Sequence, residues 1–307
     1  MTPSKDTPYR SGFVALVGRP NVGKSTLLNR LVGRPVSITS DKPQTTRTRI
    51  LGVRHGEGFQ VVFVDTPGIH QASSPLNVRM VNYALGALAE ADLVLVLTEA
   101  GREAGPDEAL VLERVAQAGR PAILLLNKID LVSEGVVLEG LTHFGASGAL
   151  GGSGTFTELM PISAKTGRGV ERLENLIFER LKPGPPFFEE GQLTDQPEAV
   201  LIAELVRQEI FRRTHQEVPY RTAVRVERLT ERKGTLVAEA RIVVERDSQK
   251  GILIGKGGKM LKAIGSSARR KIEALLGTPL YLDLHVAVLE GWSDNPRRLA
   301  ELGYPEA

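Results

Sequence analysis

Residues 18–25 read Gly-Arg-Pro-Asn-Val-Gly-Lys-Ser, which fits G-x-x-x-x-G-K-[ST]. No other stretch constrains the fold as strongly. The apolar run Phe13–Val17 precedes it and suits a buried strand, and Thr26–Val32 follows it and suits a helix. That strand–loop–helix setting is the one the motif needs. Gly18 and Gly23 let the backbone turn its N–H groups toward phosphate oxygens. The positive end of the following helix faces the same anion. Lys24 is placed to reach β- and γ-phosphates and Ser25 to ligate Mg²⁺. Arg19, Pro20, Asn21 and Val22 complete the loop, and Thr26 opens the helix. The bland alternative is a chance Gly-rich turn.

At 307 residues the chain has length for two domains. Its 41% apolar content allows well-formed cores. No window approaches 18 uninterrupted apolar residues, so no membrane-crossing helix is expected. Met1 to Gly12 is polar and lacks the apolar centre of a signal peptide. Cysteine is absent, which excludes disulfides and thiolate metal sites. A cytosolic monomer is the default expectation.

Alternating apolar runs and helical segments fill the first 180 or so residues. Candidate strands are Phe13–Val17, Gln60–Val64, Leu93–Leu97, Ala122–Leu126 and Leu159–Ile162; candidate helices include Lys24–Val32, Pro106–Ala118 and Val170–Leu181. The strands lack polar alternation, as expected of a parallel sheet covered on both faces. Gly145–Gly154 reads as a surface loop, and Lys182–Pro197, with four prolines and two glycines, as a linker. Beyond it the pattern changes to α-β-β-α-β, a small α+β domain. The expected division is 11–181, a linker at 182–197, 198–290, and a tail at 291–307.

Three further motifs follow apolar runs. Asp65-Thr66-Pro67-Gly68 stands forty-one residues beyond Lys24. Asp65 at a strand end can hold the Mg²⁺ shell through water. Gly68 has no side chain to keep its N–H from a γ-phosphate, so loss of that phosphate releases the loop. Asn127-Lys128-Ile129-Asp130 follows Ala122–Leu126. The Asp130 carboxylate can accept from both N1–H and the 2-amino group of guanine, and adenine offers neither donor. Asn127 can tie the base loop to the phosphate loop, and the Lys128 stem can cover the ring. Ser163-Ala164-Lys165 follows Met160–Ile162, and the Ala164 N–H is placed to meet guanine O6. In Pro43-Gln44-Thr45-Thr46-Arg47, Thr46 rather than Thr45 is the expected Mg²⁺ ligand when γ-phosphate is present. Each motif alone is weak; four in this order are a strong signal for guanine-nucleotide hydrolysis.

Charge is placed unevenly. From Glu198 onward there are 19 basic against 15 acidic residues, and Arg246–Lys271 holds eight basic against one acidic. Such a cluster marks a polyanion contact or a solvated helix face. Within it lies Gly255-Lys256-Gly257-Gly258, a Gly-x-x-Gly with room for a nucleic-acid backbone. Lys259, Lys262, Arg269, Arg270 and Lys271 lie on or beside the following helix. This resembles the KH-domain clamp, which grips about four nucleotides of single-stranded RNA. Gly291-Trp292-Ser293-Asp294 holds the only tryptophan; it either stacks on RNA or packs against the domain.

Taken together, Gly18–Ser25, Gln44–Arg47, Asp65–Gly68, Asn127–Asp130, Ser163–Lys165, Gly255–Gly258 and Gly291–Trp292 resemble the Era family of bacterial GTPases. The resemblance runs from about Ser11 to Tyr304. It implies an α/β P-loop GTPase domain followed by a type II KH domain, with GTP or GDP and Mg²⁺ bound. It also implies slow GTP hydrolysis, recognition of the 3′ end of small-subunit (16S) ribosomal RNA, and a part in maturing the 30S subunit. Peripheral contact with the inner face of the cell membrane belongs to the family picture; only the basic surface here bears on it. Ras-like GTPases carry Gln after Asp-x-x-Gly; this chain has Ile69, which cannot orient water. Asn21 is similar to the asparagine that helps bind K⁺ in potassium-dependent GTPases, so Lys24, Gly68 and an Asn21-held K⁺ are the expected catalytic elements. No residue stands out as general base. Two rivals remain: a passive RNA-binding protein with a degenerate nucleotide domain, and a GTPase that binds no RNA through its C-terminal half.

Overall fold

A computed structural model describes residues 8–72, 74–146 and 156–306. The chain divides into two units. One comprises Met1–Ser37, Thr46–Gln71 and Met80–Asp195; the other comprises Ile38–Thr45, Ala72–Arg79 and Gln196–Ala307.

In the first unit the strands are β1 (Arg10–Gly18), β2 (Ile50–Gly56), β3 (Phe59–Asp65), β4 (Leu93–Glu99), β5 (Ala122–Asn127), β6 (Phe156–Pro161) and the short β7 (Lys182–Pro183). The sheet order is β2-β3-β1-β4-β5-β6, with β7 pairing β1. From β3 to β6 neighbours run parallel; β2 joins β3, and β7 joins β1, antiparallel. The helices are α1 (Lys24–Val32), α2 (Pro75–Glu90), α3 (Pro106–Ala118), α4 (Glu134–Ala146) and α5 (Val170–Arg180). Strand alternation sends Val14 and Leu16 into one core with Leu27 and Leu31 of α1 and Leu173 of α5. Ala15 and Val17 enter the opposite core with Leu88 of α2 and Val111 and Val115 of α3. Burial on both faces is why these strands read as unbroken apolar runs.

All five expected strands fall within or across β1, β3, β4, β5 and β6. The edge strand β2 escaped the sequence pattern because its last three residues are only half-buried and Gly52 interrupts it. Most of the Gly145–Gly154 stretch lies outside the described residues. The proline-rich stretch after α5 is bonded along this unit: Phe187 and Phe188 donate their amides to Gln60 Oε1, and the Val53 amide donates to Leu193 O.

The second unit holds α6 (Glu198–Arg213), β8 (Ala223–Arg232), β9 (Thr235–Val244), α7 (Asp247–Ile254), α8 (Lys259–Leu276), β10 (Leu280–Val288) and α9 (Pro296–Glu301). Its sheet order is β10-β9-β8, with β8 antiparallel and β10 parallel to β9. Ile202, Val206 and Ile210 of α6 meet Ala238, Ala240 and Ile242 of β9 and Ile264, Ala268 and Ile272 of α8. The order is therefore α-β-β-α-α-β. The extra helix α7 replaces the plain apolar run read before Gly255. Gln249 Oε1 caps its start by accepting the amides of Glu245 and Arg246. Eight residues with Gly251 inside give too little helical period to see. Trp292 packs rather than presents a ring to solvent: it is 0% exposed, stacks on Tyr304 and donates Nε1–H to Arg221 O at 3.3 Å.

Candidate functional site

The phosphate loop joins β1 to α1, and Gly23 carries φ 106° at the start of the helix. A Cβ there would come 2.4 Å from the Asn127 side-chain nitrogen, so only glycine lets the two loops meet. Lys24 is buried, and its Nζ donates to Gly18 O at 3.1 Å and Arg19 O at 3.0 Å. Burial lowers its pKa to about 8; Asp65 opposes the drop and Arg19 adds to it. A buried ammonium held by two peptide carbonyls is a strong receptor for an anion.

Ser25, Thr46 and Asp65 converge. Ser25 Oγ donates to Asp65 Oδ2 at 2.6 Å and lies 2.9 Å from Thr46 Oγ1, which in turn is 3.3 Å from Asp65 Oδ2. Ser37, unread in the sequence, donates its hydroxyl to the same oxygen at 2.7 Å. Burial raises the Asp65 pKa, against these hydroxyl bonds and Lys24. Asp65 Oδ1 is buried and has no hydrogen-bond partner. Two hydroxyls, one carboxylate and an unused carboxylate oxygen form a hard-oxygen set that fits Mg²⁺, which keeps waters and borrows phosphate oxygens.

Thr66 turns away, donating its hydroxyl to Leu16 O at 2.7 Å. Gly68 lies against the phosphate loop so closely that a Cβ would sit 2.5 Å from Pro20 N. Ile69 is 0% exposed in the sheet core, so it offers nothing to water. His70 Nδ1 donates to Gly68 O at 2.8 Å, and its buried Nε2 has no hydrogen-bond partner.

The base loops are braced by one amide. Asn127 Nδ2 donates to Val22 O at 2.7 Å, and Asn127 Oδ1 accepts the Ala164 amide at 2.9 Å. The Ala164 N–H, expected at guanine O6, thus serves here as the brace between loops. Asp130 is exposed; its Oδ1 accepts from Ser163 Oγ at 2.6 Å. Lys128 sits at φ 66° and reaches Glu99 at 3.1 Å. Glu99, at the end of β4, also pairs with Arg19. Burial pushes the Glu99 pKa up, but Lys128 and Arg19 together hold it below its ordinary value. One carboxylate therefore links phosphate loop to base loop, a role no local motif signals. Arg30 of α1 similarly donates Nε to Ala164 O at 2.6 Å and holds Lys165 O.

In the second unit Gly255, Lys256, Gly257 and Gly258 turn between α7 and α8. Gly257 and Gly258 have φ of 59° and 76°, and a Cβ on either would meet nothing within 4 Å. The turn is open space framed by left-handed backbone. Lys256, Lys259, Lys262 and Arg269 are exposed. Lys271 is not part of this face: it donates to Gln208 Oε1 at 2.7 Å and pairs with Glu209 on α6. A groove of about 480 Å³ runs from Gly258 between Lys262, Ser266 and Arg269 of α8 and Tyr281, Leu282 and Leu284 of β10. Tyr281 is 63% exposed, an aromatic surface the sequence pattern did not separate from the strand.

The family model described as 50S ribosome-binding GTPase matches residues 13–128, and that of the KH domain matches residues 217–293. GTPase Era of Geobacter metallireducens is 52% identical over 97% of this chain and 99% of its own length. GTPase Era of Heliobacterium modesticaldum is 45% identical over 97% and 98%. Among solved structures, an Era variant of Aquifex aeolicus bound to GDP and AlF4⁻ is 37% identical with TM-score 0.91, covering 96% of this chain and 99% of that one. Era in complex with MgGDPNP and nucleotides 1506–1542 of 16S ribosomal RNA is 37% identical with TM-score 0.91, covering 97% and 99%. Identity at this level runs through both the phosphate-loop unit and the Gly-x-x-Gly unit rather than stopping at either, so the chain belongs to the Era family of GTPases.

Proposed function

We propose that the chain is a slow GTP-driven switch whose second unit grips the 3′ end of 16S ribosomal RNA and assists maturation of the 30S subunit. The observation that carries the catalytic half is the meeting of Ser25, Thr46 and Asp65 beside Lys24, with one Asp65 oxygen unused. The solved relative that holds both MgGDPNP and 16S RNA supports the RNA half. The working pieces are residues 11–181 and 198–290, joined by 182–197 and followed by 291–307. The chain acts as a cytoplasmic monomer, with its basic face available to anionic lipid at the inner membrane surface.

Backbone amides of residues 18–26 cradle the phosphates. Lys24 holds β- and γ-oxygens, Gly68 offers its N–H to the γ-phosphate, and Thr66 and Pro67 shape that approach. Ser25 and Thr46 would ligate Mg²⁺ and Asp65 would hold its water; an ion bound there would supply charge neutralisation for phosphoryl transfer. Asp130 reads guanine, with Asn127, Ser163, Ala164 and Lys165 fixing its loop and Lys128 covering the ring. Because Ile69 is core, charge developing on the leaving oxygen needs another cation. Asn21, at φ 63°, is the proposed K⁺ ligand. Hydrolysis is expected to be several-fold faster in potassium than in sodium, and Asn21→Ala to erase the difference. Equal rates in both salts remove the potassium reading.

Gly255, Lys256, Gly257 and Gly258 clamp the RNA backbone, with Lys259, Lys262 and Arg269 on phosphates. Gly258→Asp puts a carboxylate where phosphate must pass and strains a left-handed position. Affinity for an oligonucleotide of the 16S 3′ tail should fall roughly tenfold or more. Unchanged affinity removes the RNA reading. The passive-binder rival is tested by phosphate release from GTP, which it forbids.

A further inference from the structure

Ile38–Thr45 belongs to the second unit, although Thr46, its covalent neighbour, belongs to the first. The reason lies on α6. Ile38 is buried in the second unit's core. Gln208 Nε2 donates to Thr39 O at 3.1 Å. Lys42 Nζ donates to the carbonyls of Phe211 and Thr214 at the end of α6. Arg207 Nη2 donates to the Thr45 carbonyl. That oxygen belongs to the Thr45–Thr46 peptide, so its partner sets the plane from which Thr46 departs.

Arg207 is an expensive residue to keep there. It is 0% exposed, and its Nη1 is buried with no hydrogen-bond partner. Glu204 compensates the charge, accepting from Nε at 2.7 Å and from Nη2 at 2.6 Å, and the guanidinium lies 5.1 Å from the Phe211 ring centroid. An apolar side chain would fill this space at lower cost. What it could not do is hold a carbonyl of the 38–45 segment.

We propose that Arg207 is a positioning residue for the GTPase reaction: by fixing the Thr45–Thr46 peptide it holds the Thr46 hydroxyl beside Ser25 and Asp65. This rests on the reading of Thr46 as the ligand that responds to γ-phosphate. The same helix is tied to α8, which opens at the Gly-x-x-Gly turn. Lys271 bonds Gln208 and Glu209, and Arg213 donates to Ser267 Oγ at 2.7 Å. Within the second unit, α6 is thus bonded both to α8 and to the 38–45 segment that precedes Thr46.

The test uses the full chain with the pair replaced, Glu204→Gln/Arg207→Met, which leaves no lone buried charge, and with Arg207→Lys. A melting curve confirms that each variant is folded. Binding of GDP and of a non-hydrolysable GTP analogue is measured across a Mg²⁺ titration. Thr46 engages only the triphosphate, so the pair variant should weaken the analogue roughly tenfold while GDP stays within about twofold. The Mg²⁺ midpoint should rise for the analogue alone, and Arg207→Lys should restore part of the loss. Equal weakening of both nucleotides, or of neither, overturns the proposal. Thr46→Val separates the two layers. If it shifts the analogue-to-GDP ratio and the Arg207 variants do not, Arg207 has no positioning role. If it leaves the ratio unchanged, the Thr46 reading itself fails and the inference falls with it.

Discussion

Lys24→Ala should lower GTP turnover by roughly 10²–10³-fold and strip the pocket of its grip on triphosphate. In the structure this ammonium is already buried and held by the carbonyls of Gly18 and Arg19. Alanine leaves those carbonyls in place and removes the ammonium proposed to hold the β- and γ-phosphates. A turnover loss under about threefold would refute this assignment.

The same group sets a pH signature. Its pKa is lowered to about 8, chiefly by burial, and an arriving phosphate favours the charged form. Below that pH the lysine is protonated before and after binding, so this group contributes no slope. Above it, binding draws in a proton, and triphosphate affinity should fall by up to tenfold, roughly, per pH unit until the bound-state value is passed. In the nucleotide-free protein the unfolded chain holds the extra proton over the same window. Stability therefore rises with pH from about 8 toward the ordinary lysine value. Calorimetry in buffers of different ionisation heat reads the proton directly. Equal uptake in the wild type and Lys24→Ala would assign it elsewhere.

Asp130→Asn carries the second large effect. The carboxylate is exposed, and its Oδ1 is already oriented by Ser163. Two charge-assisted bonds to guanine are worth about 3–6 kcal/mol together, so GTP affinity should drop by roughly 10²–10⁴-fold. The amide also turns a donor toward the 2-amino group. A base with a carbonyl at that position suits it better, so xanthosine triphosphate should gain relative to GTP. Competition binding with GTP, XTP and ATP checks this. A variant that still prefers GTP by the wild-type margin would move base recognition off Asp130.

The residues legible in the sequence share a setting. Lys24, Asp65, Asn127 and Ser163 each follow a buried strand, so an apolar run announces where the chemistry begins. Their spacing is dictated by a nucleotide, which makes the pattern recur. Glu99 has no such announcement: it meets Arg19 and Lys128 only because β4 ends between their loops. Arg207 is hidden for a different reason. Periodicity places Val206 and Ile210 on the apolar face of α6, and it has no means of registering that a neighbouring cation is also enclosed. Lys271 misled in the opposite direction, since it counts toward a basic cluster but is spent on α6. Helix α7 was lost to its shortness and β2 to its half-polar edge.

One carboxamide has a wider bearing. Asn127 spans from Val22 to Ala164, so the proposed receptors for the two ends of a nucleotide are tied to one another. Guanosine and pyrophosphate, offered separately, each meet a half-site already built. Once joined, the first end to dock presents the second at high local concentration, and the whole binds more tightly than its fragments' affinities suggest. Together with the Glu99 and Arg30 ties, that amide would make the two proposed half-sites act as one chelating receptor.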